Sequence, residues 1–165
     1  KGVFVANYPV SGNLETLAAI MNYDGSSIND RIYLSILEVR RDLEVPAVQR
    51  VASCRSEQQL AELKRIVEAL GRTAECKPAA QQLLSFHLAI CNISGNVIYP
   101  LIFKSFAPAI LALWERYCRQ RGIQATSQML TELVGHIEAR DPERAGQLIH
   151  AVITEALEAA GAPGG

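Results

Sequence analysis

The chain has 165 residues and a mass of 18.0 kDa, and 49% of it is hydrophobic, enough for one domain that buries most of its apolar surface. Sixteen Lys and Arg nearly balance seventeen Asp and Glu, so the chain lacks the positive field by which proteins attract phosphate backbones. Cys54, Cys76, Cys91 and Cys118 form no Cys-x-x-Cys pair, which argues against a zinc knuckle or a redox motif and suits a reducing cytoplasm.

Apolar residues recur at helical spacing nearly everywhere after Asn13, so the expectation is an all-α chain, an antiparallel bundle of about seven helices. The exception is "GVFVA" at 2–6, a β-rich piece too short for a sheet of its own, which reads as the end of another domain. A short helix is predicted over 14–22, broken by "DGSS". A long helix follows over 28–44, halted near Pro46 with a brief continuation over 47–53. Ser56 with Gln59 three residues on forms a capping-box pattern, opening a helix that Gly71 ends. The next helix spans 76–93 and stops at Ser94-Gly95-Asn96, where Gly95 can turn left-handed and Asn96 can cap the helix that follows. That helix is predicted over 97–120 with a kink or bulge at Pro108. Two amphipathic helices over 126–138 and 142–159 close the chain before the tail "GAPGG". No apolar run reaches the roughly 18 residues a membrane span needs, and "KGVFVANYP" is too short for a signal peptide, so a soluble, cytoplasmic protein is expected.

Two polar residues fall on apolar stripes. His87 shares a stripe with Leu83, Leu84 and Cys91 and should point into the bundle, either as a satisfied core residue or as a ligand-facing one. Neither His136 nor His150 lies squarely on an apolar stripe, which argues against a three-histidine metal site. Arg40 falls between Ile36 and Leu43, where a guanidinium must find an anion. Two readings stand: a pair with Glu44 or a snorkelling side chain, and a buried cation that receives a carboxylate or phosphate ligand. Tyr99, Phe103, Phe106, Trp114 and Tyr117 supply core or dimer surface, some of it able to line a pocket. No phosphate loop, nucleophile elbow or paired carboxylates on an apolar face point to an enzyme.

Four stretches in order carry a family resemblance. They are "KGVFVAN", "VRRDLEVPAVQRVAS" with Arg40, Leu43 and Glu44, "FHLAICNISGNVIYPLI" with Phe86, His87 and Ser94–Asn96, and "IEARDPERAGQLIHAVI" with Asp141 and Ala145. Together they resemble the FCD domain, the effector-binding part of GntR-type bacterial transcription regulators. The resemblance implies that residues 1–7 are a remnant of the last wing strand of a winged helix-turn-helix domain. It also implies a linker with a short helix at 8–26, a helical effector-binding domain at 27–160 and a disordered tail at 161–165. DNA would then be bound only through the absent N-terminal domain.

Most FCD domains hold a metal through an Asp and three His, but the matching positions here are Leu83, His87, Leu130 and Val152, so the expectation is no metal and no cofactor. The loss of those ligands resembles the FadR-like branch, whose effector is a long-chain acyl-CoA. Arg40 matches a pocket-lining Arg of that branch and Thr154 a small hydroxyl residue, while His87 departs from it, standing where that branch has an Arg. The expected function is a ligand-sensing, dimerising domain for an acyl-CoA, fatty acid or other organic acid. Arg40 and His87 would hold the acid or thioester end, Leu83, Leu130 and Val152 would surround the tail, and Tyr99, Phe103 and Thr154 complete the expected lining. The competing readings are a ligand-free helical dimerisation module, a metal-dependent small-carboxylate sensor and, more remotely, a small helical enzyme or lipid carrier. A homodimer is the expected state.

Overall fold

The computed structural model describes residues 30–161, with side chains described over 32–158. The β-rich piece at 2–6, the helix at 14–22 and the tail at 162–165 lie outside the described residues. Within them the chain is seven helices and no strand: α1 Asp30–Cys54, α2 Glu57–Gly71, α3 Cys76–Ile93, α4 Tyr99–Ser105, α5 Ala107–Arg121, α6 Ile123–Glu138 and α7 Pro142–Gly161. The all-α bundle is as expected. Helix α1 packs chiefly along α7, α3 along α5, and α2 along α6, with α3 also touching α1 and α2. Leu63, Phe86, Ile90, Ile110, Leu133 and Ile137 are fully buried where these faces meet, each worth about 1.5–3 kcal/mol of apolar burial.

Two expectations about proline are corrected. Helix α1 does not halt at Pro46 but runs through it to Cys54. Pro46 lies on the exposed face, where the carbonyl freed by the missing N–H can meet water, while Ala47, Val48, Val51 and Ala52 on the other faces are fully buried and hold the helix together. Conversely, the helix expected over 97–120 is two helices, broken at Phe106 (φ −95°, ψ 0°). Pro108 sits in the first turn of α5, where a helix has no use for the N–H that proline lacks, so it starts a helix instead of kinking one.

The caps follow the sequence closely. Ser56 Oγ accepts from Gln59 N at 3.2 Å while Gln59 Oε1 accepts from Ser56 N at 2.8 Å, a complete capping box. Gly95 is left-handed (φ +76°) as expected, but Asn96 does not cap the next helix: α4 begins at Tyr99 with Ile98 at its N-cap and no capping side chain, and Asn96 Oδ1 instead accepts from Ile98 N at 3.0 Å in the turn before it. Ser94 is buried and its hydroxyl donates to Cys91 O at 2.7 Å, closing the end of α3. This corner turns the chain out of α3 about two helical turns after His87, so His87 is held inside the bundle between α4 and α5.

Candidate functional site

Helix α1 buries residues 36, 37, 40, 44, 47 and 48, a continuous stripe that carries two charges, Arg40 and Glu44, one turn apart. Arg40 Nε donates to Glu44 Oε1 at 2.6 Å and Nη2 to Oε2 at 3.2 Å, a two-pronged pair with Glu44 only 1% exposed. From α3, His87 Nδ1 comes within 3.0 Å of Glu44 Oε2. This close approach falls short of hydrogen-bond geometry. His87 Nε2 has no hydrogen-bond partner among the described residues, and neither has Trp114 Nε1.

Burial alone would push the Glu44 carboxyl upward, yet the Arg40 guanidinium and then His87 outweigh it and hold it at about 2, so Glu44 is a carboxylate at any physiological pH. The His87 ring lies 5.0 Å from Trp114 and 5.9 Å from Phe103, nearly parallel to both, with Phe86 edge-on at 5.7 Å. Arg40 in turn places its guanidinium carbon 4.5 Å from the centre of the Trp114 ring. Four helices, α1, α3, α4 and α5, thus converge on one carboxylate through a cation, an imidazole and an aromatic box. Cys91, on α3 one turn after His87, is no nucleophile: burial, and secondarily Glu44, push its thiol up to about 12.

On the other side, Arg40 and Trp114 line a narrow cleft between α1, α5 and α7, together with Tyr33, Leu37, Val152 and Ile153. Its volume is about 20 Å³, room for roughly one water. It adjoins a wider compartment of about 100 Å³, which shares Tyr33, Tyr117 and Ala156 and adds Arg116, Gln120, Arg121 and Glu155. A narrow, mainly apolar throat thus adjoins a wider compartment, the mouth, that bears charged side chains.

Of the residues expected to bind a ligand, Arg40 and Val152 line the throat. His87 and Phe103 are one ring deeper, against Trp114, and do not line it. Leu83 and Leu130 are fully buried in the core and do not line this cleft. Tyr99 is half-buried against the core on α4. Thr154 faces His150 on α7, its hydroxyl 3.5 Å from Nδ1, and lies outside the cleft. Arg40 was expected either to pair with Glu44 or to await a ligand acid; it lines the throat while already paired with the Glu44 carboxylate of its own helix. Sequence reasoning missed Trp114 as the wall between the charge cluster and the cleft, and missed Tyr33 and Arg116 altogether. The signal was present only for Trp114, which continues the α5 stripe of Ile110 and Leu113.

The family model of the FCD domain matches residues 35–155, most of the chain. The chain belongs to the FCD domain family. It is thereby a ligand-sensing, regulatory domain of the kind found in GntR-type regulators. A search of curated proteins found no significant match. Among solved structures the fold is similar to Streptococcus agalactiae GntR, at 16% identity and a TM-score of 0.56, over 92% of this chain and 63% of that one. This FCD domain thus spans under two thirds of the length of that regulator. The metal common in FCD domains does not fit here: three of its four matching positions, Leu83, Leu130 and Val152, are aliphatic. No three His, Cys, Asp or Glu side chains come together among the described residues, and Glu44 is spent on Arg40. No described helix is long and apolar enough to cross a membrane.

Proposed function

We infer that the domain senses an organic acid, free or as the acyl part of a thioester, in the cleft between α1, α5 and α7, and passes its occupancy to a DNA-binding domain ahead of residue 30. The observation that carries this reading is the cleft itself, the place where an apolar throat, an aromatic wall and cationic side chains meet. Helix α1 is the element nearest the N-terminal segment and forms one wall, while α7, its main packing partner, forms another. A ligand that prefers one spacing of α1 and α7 shifts their equilibrium by its difference in affinity for the two arrangements. In a homodimer in the cytoplasm this would change the separation of two DNA-binding domains and so the affinity for an operator.

The reading of the domain as a ligand-free dimerisation module draws on one observation, the throat's small volume of about 20 Å³. Thermal denaturation of the chain with octanoate, octanoyl-CoA or succinate, each with and without zinc, separates the two. An effector domain gains stability with the logarithm of ligand concentration over dissociation constant, about 2.7 kcal/mol at a hundredfold excess over Kd. A dimerisation module gains none.

A further inference from the structure

The mouth of the cleft bears a cation that no carboxylate among the described residues pairs with. Arg116 on α5 is exposed, its guanidinium carbon lies 5.6 Å from the centre of the Tyr33 ring, and it forms no ion pair among the described residues. Neighbouring arginines behave differently: Arg119 pairs with Glu115 one turn before it, and Arg121 pairs with Glu155 across the mouth from α7. Deep in the throat, Arg40 is neutralised by Glu44 in two-pronged geometry. An incoming carboxylate would have to displace that buried pair, stripping a carboxylate of both partners in a low dielectric, a penalty of several kcal/mol. At the mouth it meets a free guanidinium already oriented by an aromatic face and still partly hydrated.

Resting on the effector reading above, we propose that the ligand binds head-out, with Arg116 as the residue that recognises its carboxylate. The Glu155–Arg121 pair then acts as a built-in competitor for the same anion. The tail points inward past Tyr117 to Leu37, Val152 and Ile153. Size sets the ligand class. The two compartments, about 20 and 100 Å³, fall well below the roughly 300–1,000 Å³ of pockets for drug-sized ligands, so the ligand is a small monocarboxylate, and an alkyl tail that enters the throat, octanoate's included, requires α7 to move away from α1. Arg116 sits about one turn of α5 before the Arg121–Glu155 bridge, so an anion on Arg116 that also draws Arg121 loosens a tie between α5 and α7. Occupancy and helix packing are thereby linked.

The test uses octanoate and its neutral analogue octanamide, titrated against the fluorescence of Trp114, the single tryptophan of the chain. The wild-type chain should bind octanoate about tenfold or more tightly than octanamide, a difference of about 1.4 kcal/mol. Arg116→Gln should erase that preference and leave octanamide binding unchanged. Glu155→Gln, which frees Arg121, should tighten octanoate binding. Both positions are exposed, so an unchanged Tm without ligand confirms folding. Octanoate binding with equal strength to wild type and Arg116→Gln overturns the proposal and leaves the effector reading standing, as does equal wild-type affinity for octanoate and octanamide. Failure of the wild-type chain to bind any acid or acyl thioester removes the effector reading, and this assignment with it.

Discussion

Glu44 of α1 and His87 of α3 meet through a 3.0 Å contact in the dry interior, both 1% exposed, with Arg40 gripping the same carboxylate from one turn back. The carboxylate is buried, and its neighbours are a guanidinium and an imidazole backed by aromatic rings. Its removal should therefore be costly in one direction only. Glu44→Gln leaves the Arg40 charge buried and uncompensated and should destabilise the fold by about 3–5 kcal/mol in urea unfolding. The double change Arg40→Met with Glu44→Leu removes both charges and should recover most of that loss.

Stability should depend on acid in a window set by the same carboxyl. Glu44 is held at about 2 in the fold against 4.5 as its ordinary value, so the unfolded chain takes up its proton first as pH falls. The stabilisation is complete above about pH 5 and is lost as pH falls through 4.5 toward 2, an effect on the order of 3 kcal/mol. Denaturant midpoints measured between pH 6 and pH 3 should drop steeply for the wild type and less steeply for Glu44→Gln.

Two arginines, Arg55 and Arg140, clamp the α6–α7 corner to the end of α1. Arg55, 5% exposed, donates to Glu138 O at 2.9 Å and Ile137 O at 3.5 Å, the last carbonyls of α6. Arg140, left-handed at φ +54°, donates to Ser53 O at 3.1 Å, in the last turn of α1, and to Arg55 O at 3.3 Å, just past its end. Each side chain thus satisfies the orphan carbonyls of the other's helix. Arg55→Ala should cost about 2 kcal/mol and lower Tm by about 4–8 °C, whereas Arg144→Ala on the exposed face should change Tm little.

The corner that holds His87 in place rests on Gly95. At φ +76° any other L-residue is strained, so Gly95→Ala should cost about 1 kcal/mol in chemical denaturation, and Gly95→Asn, which tolerates the left-handed region, less.

What the sequence made legible was local. The span of α3, the capping box at Ser56 and the turn at Gly95 depend on residues within a few positions of one another, and each stands as read. Pro46 and Pro108 were misjudged because the cost of a proline depends on which face it occupies and on whether a helix begins there. Glu44 was legible as a possible partner of Arg40, but not as the centre of a four-helix cluster, because the periodicity of α1 says nothing about which side chain of α3 faces it. The cleft was the least legible feature. It joins Tyr33, Arg116 and Glu155, residues from three helices far apart in the chain, while Leu83 and Leu130, two of the positions matched by family resemblance, are fully buried away from it.

The central claim is that the cleft between α1, α5 and α7 takes an organic anion, and Trp114, as the single tryptophan and a wall of that cleft, reports on it without any label. Titration with octanoate should give a saturable change in Trp114 emission, at concentrations that also raise Tm. Emission and Tm that both stay flat into the millimolar range, for octanoate, octanoyl-CoA and succinate alike, would contradict the account.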